Sequence, residues 1–309
     1  MAKTRDIRRR ILSVRNIHKI TRTMEKVAQS KGMKLTSRFE EARAFRREVA
    51  ALLPQALGAP LAGVAAAQEL SAHPLGAQRT AGAKVLFFCI TSSRGLCGGY
   101  NARVIQSVRA QMEAARAAGK EPFLAVMGRK GLAYFRYHGM TMDYAFAEAD
   151  ENIPFARVQE VADELCARFT SRQADAVQVV STRWKSRAVQ EVRTQGLLPL
   201  LPEMAAAAMA PALAVPAEGP AGEPMYLVEP DRGRVVSALA PLLVRAQLFC
   251  DVLEAMLCEQ AQRSAAMRNA SDNADAMTKR LTRTYNRARQ AQITNEMIEI
   301  ISGSEGGRS

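Results

Sequence analysis

Each end of this 309-residue chain carries a helical pattern too long for a compact domain to cover. From about residue 4 to 53, apolar side chains recur at three and four through Ile7, Ile11, Val14, Ile17, Ile20, Met24 and Val27, with no proline before Pro54. That spacing makes a narrow seam close to the repeat of a coiled coil. A helix of ~50 residues extends about 75 Å. The period returns near Arg232 and scarcely stops. Its seam runs through Leu242, Ala246, Cys250, Leu253, Leu257, Gln260, Ser264, Met267, Ser271, Ala274, Met277, Leu281, Tyr285, Ala288, Gln292, Asn295 and Ile298. Pro241 kinks or starts this helix and Gly303 stops it, giving ~60 residues and about 90 Å. Pairing the two ends antiparallel buries both seams. The second seam changes from large apolar residues, up to Leu257, to small or polar ones. A free coiled coil gains nothing from such weakening, whereas a shaft enclosed by other subunits tolerates it.

Between the ends the pattern switches. Residues 54–82 are rich in Ala, Gly, Pro and Leu and read as a connector with a short helix around Val64–Leu70. Val85 to Thr91 is a short apolar run of the buried-strand kind. A glycine-rich loop follows, then a helix over Asn101–Ala118, a strand over Pro122–Met127 and a short helix over Arg129–Tyr137. Pro154 opens a helix ending near Arg172, Asp175–Thr182 is a third strand, and Ala188–Gln195 alternates like an edge strand. Residues 196–224 read as a loose loop and Pro224–Pro230 as one more short strand. The fold class is α/β: a long antiparallel coiled coil of N- and C-terminal helices with an inserted small Rossmann-like α/β domain. The expected boundaries are 1–55 for the first helix, 56–83 for the connector, 84–230 for the α/β domain and 231–309 for the last helix.

The net charge of +13 is uneven, with fifteen Lys or Arg against five Asp or Glu in residues 1–50. Such a block suits an acidic protein, a lipid surface or nucleic acid. For nucleic acid, however, the basic residues are threaded through the seam, aromatics there are limited to Phe39 and Phe45, and no zinc, RRM or KH pattern occurs. No run of eighteen apolar residues is present, so no membrane span is expected, and the N-terminus lacks the apolar centre of a secretory signal. Cys89, Cys97, Cys166, Cys250 and Cys258 form no CxxC pair and lie near no histidine at metal spacing. They read as reduced thiols, with Cys89 and Cys250 as small core residues.

The loop Thr91-Ser92-Ser93-Arg94-Gly95-Leu96-Cys97-Gly98-Gly99-Tyr100-Asn101 stands where phosphate-binding glycine loops stand, between a strand and a helix. Its spacing matches neither G-x-G-x-x-G nor G-x-x-x-x-G-K-[ST], so tight turning is the better reading. His18, His73 and His138 are each isolated, and Glu148, Asp150 and Glu151 precede a helix whose dipole they complement. No residues are assigned to catalysis, to a cofactor or to a metal.

Three segments together span the chain and resemble the gamma subunit of F-type ATP synthases. They are Ile7–Ile11 with Lys19–Met24 and Val27–Lys31, the loop Arg94–Asn101, and Met267–Ala274 continued by Tyr285–Glu296 and Ile300–Gly303. Lys26 stands where the family commonly has Met, and 196–224 is the least family-like stretch. The resemblance implies a central rotor shaft in the F1 sector of a proton-translocating ATP synthase. The terminal helices would lie inside a hexamer of alternating alpha and beta subunits, with the α/β domain against the epsilon subunit and the c-ring. Rotation driven by ion flow would reach the catalytic sites on beta, and the shaft would regulate ATPase activity and proton flow. It also implies a non-catalytic chain, no cofactor, and a peripheral membrane location on the cytoplasmic face of a bacterial inner membrane. Residue by residue, Arg263, Gln290, Thr294 and Glu296 match positions that engage a loop of beta, and Met24 a position near beta's acidic lever. Tyr226 and Glu229 match the segment that meets the c-ring. Read from the residues alone, a coiled-coil interaction scaffold with an α/β head stays open, as does a nucleotide-binding enzyme using the glycine loop.

Overall fold

A computed structural model describes residues 2–57, 64–79, 83–147, 150–209, 228–229 and 231–305. The elements follow in order: α1 (Ala2–Leu57), α2 (Val64–Ala72), β1 (Lys84–Ile90), α3 (Tyr100–Ala117), β2 (Glu121–Met127), α4 (Arg129–Tyr137), β3 (Tyr144–Phe146), α5 (Phe155–Thr170), β4 (Ala176–Trp184), β5 (Gln190–Leu198), α6 (Pro202–Met209) and α7 (Arg232–Glu305). The chain divides into two units. One holds Met1–Ser30 and Arg263–Ser309, the other Lys31–Gln262. Both terminal helices exceed their expected spans, with 56 residues in α1 and 74 in α7. Pro54 lies in the last turn of α1 and Pro241 inside α7.

The larger unit is built on a five-stranded sheet of order β3-β2-β1-β4-β5, parallel except for the β4–β5 pair. Its central strand explains its own sequence. Leu86, Phe88 and Ile90 point into one core with α5 and the inner segments of α1 and α7, while Val85, Phe87 and Cys89 point into a second core with α3 and α4. A strand covered on both faces must be apolar at every position, hence the unbroken run. The edge strand β5 is buried at Gln190, Leu197 and Leu198 and partly or fully exposed between them. The three-residue β3 is too short to carry a periodic signal, and the sequence reading passes over it.

Residues 251–260 of α7 are buried without a break. α7 is also long and apolar enough, by length and composition, to pass as a membrane span, and 56% of its most apolar stretch is buried. Within the expected loose loop at 196–224, β5 continues to Leu198 and α6 occupies Pro202–Met209, while 210–227 lie outside the described residues. Of the strand expected at Pro224–Pro230, Val228 and Glu229 are described and belong to no strand.

In the smaller unit the ends of α1 and α7 pair antiparallel, since partners descend along α7 as α1 ascends. Thr4 Oγ1 donates to Gln292 Oε1 at 3.0 Å, His18 Nε2 is 3.8 Å from Asp275 Oδ1, Thr21 Oγ1 is 2.7 Å from Ser271 Oγ, and Arg268 Nε donates to Glu25 Oε1 at 3.0 Å. The inward line of α1 differs from the expected seam. Ile17, Ile20 and Val27 are 52, 59 and 47% exposed, whereas Thr21, Glu25 and Ala28 are buried. From Ile11 the true seam steps three, four, three, four, through Val14, His18, Thr21, Glu25 and Ala28, which is a heptad. Following the largest apolar residues, Ile11 to Val14, Ile17 and Ile20, takes three successive steps of three and walks off that stripe. On α7 the inward line holds Met267, Ser271, Ala274, Thr278, Leu281, Tyr285, Ala288 and Gln292, while Met277 and Ile298 are exposed.

Candidate partner-binding site

The glycine loop lies at the C-terminal end of β1, next to β4. On a sheet wound to both sides from that pair, this is the crevice where ligands ordinarily bind. Here the crevice is filled from within. Tyr100, Cys97 and Cys258 form one buried cluster with Trp184 against it, and the Cys258 thiol donates to Thr182 O at 3.5 Å. Glu254 Oε1 accepts the Trp184 N–H at 2.9 Å, closing the end of β4 onto α7. The loop itself is a turn. Leu96 and Gly98 take φ 62 and 58, and the Asn101 carboxamide accepts from Ser92 N at 2.9 Å while donating to Cys97 Sγ at 3.3 Å. These contacts favour the turning reading. Burial pushes the Cys166 and Cys250 thiols up to about 12, so both are protonated at neutral pH.

Of the acidic residues before α5, Glu151 serves packing. It pairs with Lys31 of α1; burial pushes its carboxyl up, but the hydrogen bonds from Lys31 and the backbone and the nearby positive charge outweigh it and hold the carboxyl below the ordinary value. Arg38 Nη2 donates to Ile153 O at 2.7 Å, so α1 grips this turn twice.

The smaller unit presents a different surface. Arg15, His18 and Lys19 of α1 face Asp275, Thr278, Lys279, Thr282 and Arg283 of α7 across a groove of about 540 Å³. Four permanent cations against one carboxylate give it a strongly positive field. Large apolar side chains also face outward there: Leu12, Ile17, Ile20, Val27, Met277, Ile293, Met297 and Ile298. Two paired helices have no core to take these residues, and apolar surface of that extent marks a protein contact.

The expected contact residues fall unevenly on these surfaces. Gln290, Thr294 and Glu296 are exposed on α7, where the Thr294 hydroxyl donates to Gln290 O at 3.0 Å and Glu296 accepts from Gln292 at 2.8 Å. Met24 is half-buried beside the seam and Arg263 is 7% exposed. Glu229 is exposed and Tyr226 lies outside the described residues. Sequence reasoning did not single out the groove. The signal was available, since Arg15 with Lys19 and Lys279 with Arg283 are each four apart and so share a helix face.

Comparison with known proteins places these features. The ATP synthase family model matches residues 3–306. An ATP synthase gamma chain of Frankia casuarinae is 35% identical, covering 97% of this chain and 96% of its own. One from Mycolicibacterium vanbaalenii is 33% identical, covering 98% and 97%. The fold is shared with a chain of the Euglena gracilis mitochondrial ATP synthase OSCP/F1/c-ring structure, at a TM-score of 0.66 and 18% identity, covering 99% of this chain and 94% of that one.

Proposed function

Because the chain belongs to the ATP synthase gamma chain family, we propose that it works as the rotor shaft that carries c-ring rotation to the catalytic sites of beta. It is a central-stalk subunit of a rotary ATP synthase, and its partners are the alpha and beta subunits and the c-ring. The complex it serves is membrane-associated. Our reading of the finer points is that the chain performs no catalysis itself, also meets the epsilon subunit, and works at the cytoplasmic face of a bacterial inner membrane.

The observation that carries the reading is the antiparallel pair of chain ends, joined by Thr21–Ser271 and Glu25–Arg268 and exposing large apolar side chains. A shaft must resist twisting, and a long seam with interhelical hydrogen bonds and an ion pair supplies that. It must also release each contact as it turns. Exposed ion pairs contribute about 0–1 kcal/mol each, so the positive groove between Arg15 and Arg283 meets acidic segments of beta in contacts that are easily remade. On this reading Met24, Arg263, Gln290, Thr294 and Glu296 engage loops of beta, and Tyr226 and Glu229 meet the c-ring.

Co-expression with alpha and beta tests the proposal. The expected result is a stoichiometric complex whose ATP hydrolysis, once joined to the membrane sector in vesicles, drives proton pumping. A chain that stays monomeric beside assembled alpha and beta, with hydrolysis and pumping no different from vesicles lacking it, overturns it.

A further inference from the structure

One buried cluster of charge in the larger unit joins both terminal helices to the sheet. Gln247, Asp251 and Glu254 lie four and three apart on α7, on one helix face, and are 5, 1 and 8% exposed. Arg193 of β5 reaches Asp251 Oδ1 at 3.2 Å and Glu254 Oε2 at 3.8 Å. Gln247 Nε2 donates to Asp251 Oδ1 at 3.0 Å, and Gln247 Oε1 accepts from Arg46 Nη1 of α1 at 3.0 Å. The second oxygen of Glu254 takes the Trp184 N–H of β4. A continuous relay thus runs α1–α7–β5, with a branch to β4.

The cluster is poorly built for stability. Asp251 Oδ2, Arg46 Nε and Arg193 Nε are all buried without a hydrogen-bond partner. Burial raises the Asp251 and Glu254 carboxyls above their ordinary range despite the arginines. A buried charge cluster with unfilled valences is commonly no better than apolar packing of the same volume. What it supplies is position. Apolar surfaces can slide or rotate by a small step at little cost, whereas Arg193 Nη2 set between two carboxylates fits one register.

We propose that Asp251 and Arg193 are positioning residues for rotary coupling: their cluster fixes the register of α7 against β5 and α1, and so sets how rigidly torque on the sheet passes into the helices. This rests on the shaft reading above. One ion pair of α7 in this unit lies at the rim instead. Arg245 to Asp163, at 2.7 Å, has side chains 29 and 42% exposed, so water weakens it.

The test replaces the pair by apolar residues of similar volume, Asp251→Leu with Arg193→Met, in the complete enzyme in membrane vesicles. Complex stability, ATP hydrolysis and protons pumped per ATP are measured together. The expected result is an intact complex at least as heat-stable as wild type, with hydrolysis retained and pumping per ATP reduced by roughly fivefold or more, the lower end of typical coupling between sites. Unchanged pumping per ATP overturns the proposal. Asp251→Asn serves if the double variant does not assemble. It keeps the oxygen that accepts from Gln247 and Arg193 while removing the charge that holds Arg193, so pumping per ATP falls while assembly persists. Full pumping per ATP in that variant, or a loss of pumping that only tracks loss of complex, equally overturns the proposal. Failure of the wild-type chain itself to assemble or support pumping would instead strike the shaft reading.

Discussion

Thr21 Oγ1 and Ser271 Oγ lie 2.7 Å apart in the buried seam between α1 and α7, 250 residues apart in sequence. Each hydroxyl also reaches a carbonyl of its own helix, Thr21 that of His18 at 3.1 Å and Ser271 that of Met267 at 2.9 Å. The two helices are therefore stitched by a pair that each helix also satisfies by itself. Two hydroxyl protons serve three contacts, so removing one hydroxyl leaves the other its own-helix carbonyl but loses the hydrogen bond across the seam, at a cost of about 1 kcal/mol. Removing both leaves two complementary apolar faces. Thr21→Val and Ser271→Ala are each expected to destabilise the chain, and the double variant less than their sum. A double-mutant cycle by urea unfolding checks this, and strict additivity would contradict it.

One turn further along, Glu25 is 7% exposed and its carboxylate accepts from Arg268 Nε at 3.0 Å and Gln29 Nε2 at 3.2 Å. The side chain of Arg268 is 65% exposed. The pair is asymmetric: losing the arginine strands a buried charge, while losing the acid frees an arginine that water already reaches. Arg268→Met is expected to lower stability by about 1–3 kcal/mol and Glu25→Gln by less. Equal losses in the two variants, measured by the same unfolding titration, would show that the carboxylate is not the stranded partner.

These two contacts also mark where the sequence stops being legible. The buried β1 run and the crossover helices follow from periodicity, because in each the buried face is apolar. The seam of α1 leaves the apolar code after Val14 and continues as His18, Thr21 and Glu25. Spacing alone carried that information, and side-chain size pointed the wrong way, to Ile17 and Ile20. The Asp251 cluster hid for a related reason. A carboxylate inside an apolar helix reads as an exposed turn until Arg193 arrives from a strand 58 residues earlier. The contact roles expected of Gln290, Thr294 and Glu296 rest on family likeness alone, since their exposed side chains look like any solvated helix face.

Two glycines separate backbone strain from steric exclusion. Gly128 has φ 98, and a Cβ there would stand 2.1 Å from Thr91 O, between β1 and the start of α4. Gly139 has φ 65 with nothing within 4 Å of its hypothetical Cβ. Gly139→Ala carries conformational strain alone and is expected to cost about 1 kcal/mol. Gly128→Ala must also push apart two strand ends, so a loss of roughly 4 kcal/mol or more is expected. Thermal melts of the two variants should differ widely, and similar melting temperatures would refute the steric argument.

The raised carboxyls of Asp251 and Glu254 give stability a distinct pH dependence. Burial is the main cause in both, opposed for Asp251 first by Arg193 and for Glu254 first by the Trp184 N–H. A carboxyl whose folded pKa exceeds its unfolded value favours the folded state fully below the unfolded pKa, and that contribution is lost as pH rises through the folded pKa. Asp175 acts oppositely. The Lys84 N–H and Arg79 hold its carboxyl low, so its contribution is present above the ordinary carboxylate pKa and is lost as pH falls through the lowered one. Between about pH 4.5 and neutrality the buried pair dominates, and stability should decline as its carboxyls ionise. Asp251→Asn removes one of the two titrating groups. Its unfolding free energy should therefore fall less than that of the wild type across this window, in urea titrations at a series of pH values. Parallel pH profiles for the two proteins would mean that Asp251 ionises in the folded chain as it does in the unfolded one, and that Arg193 and Arg46 compensate its burial in full.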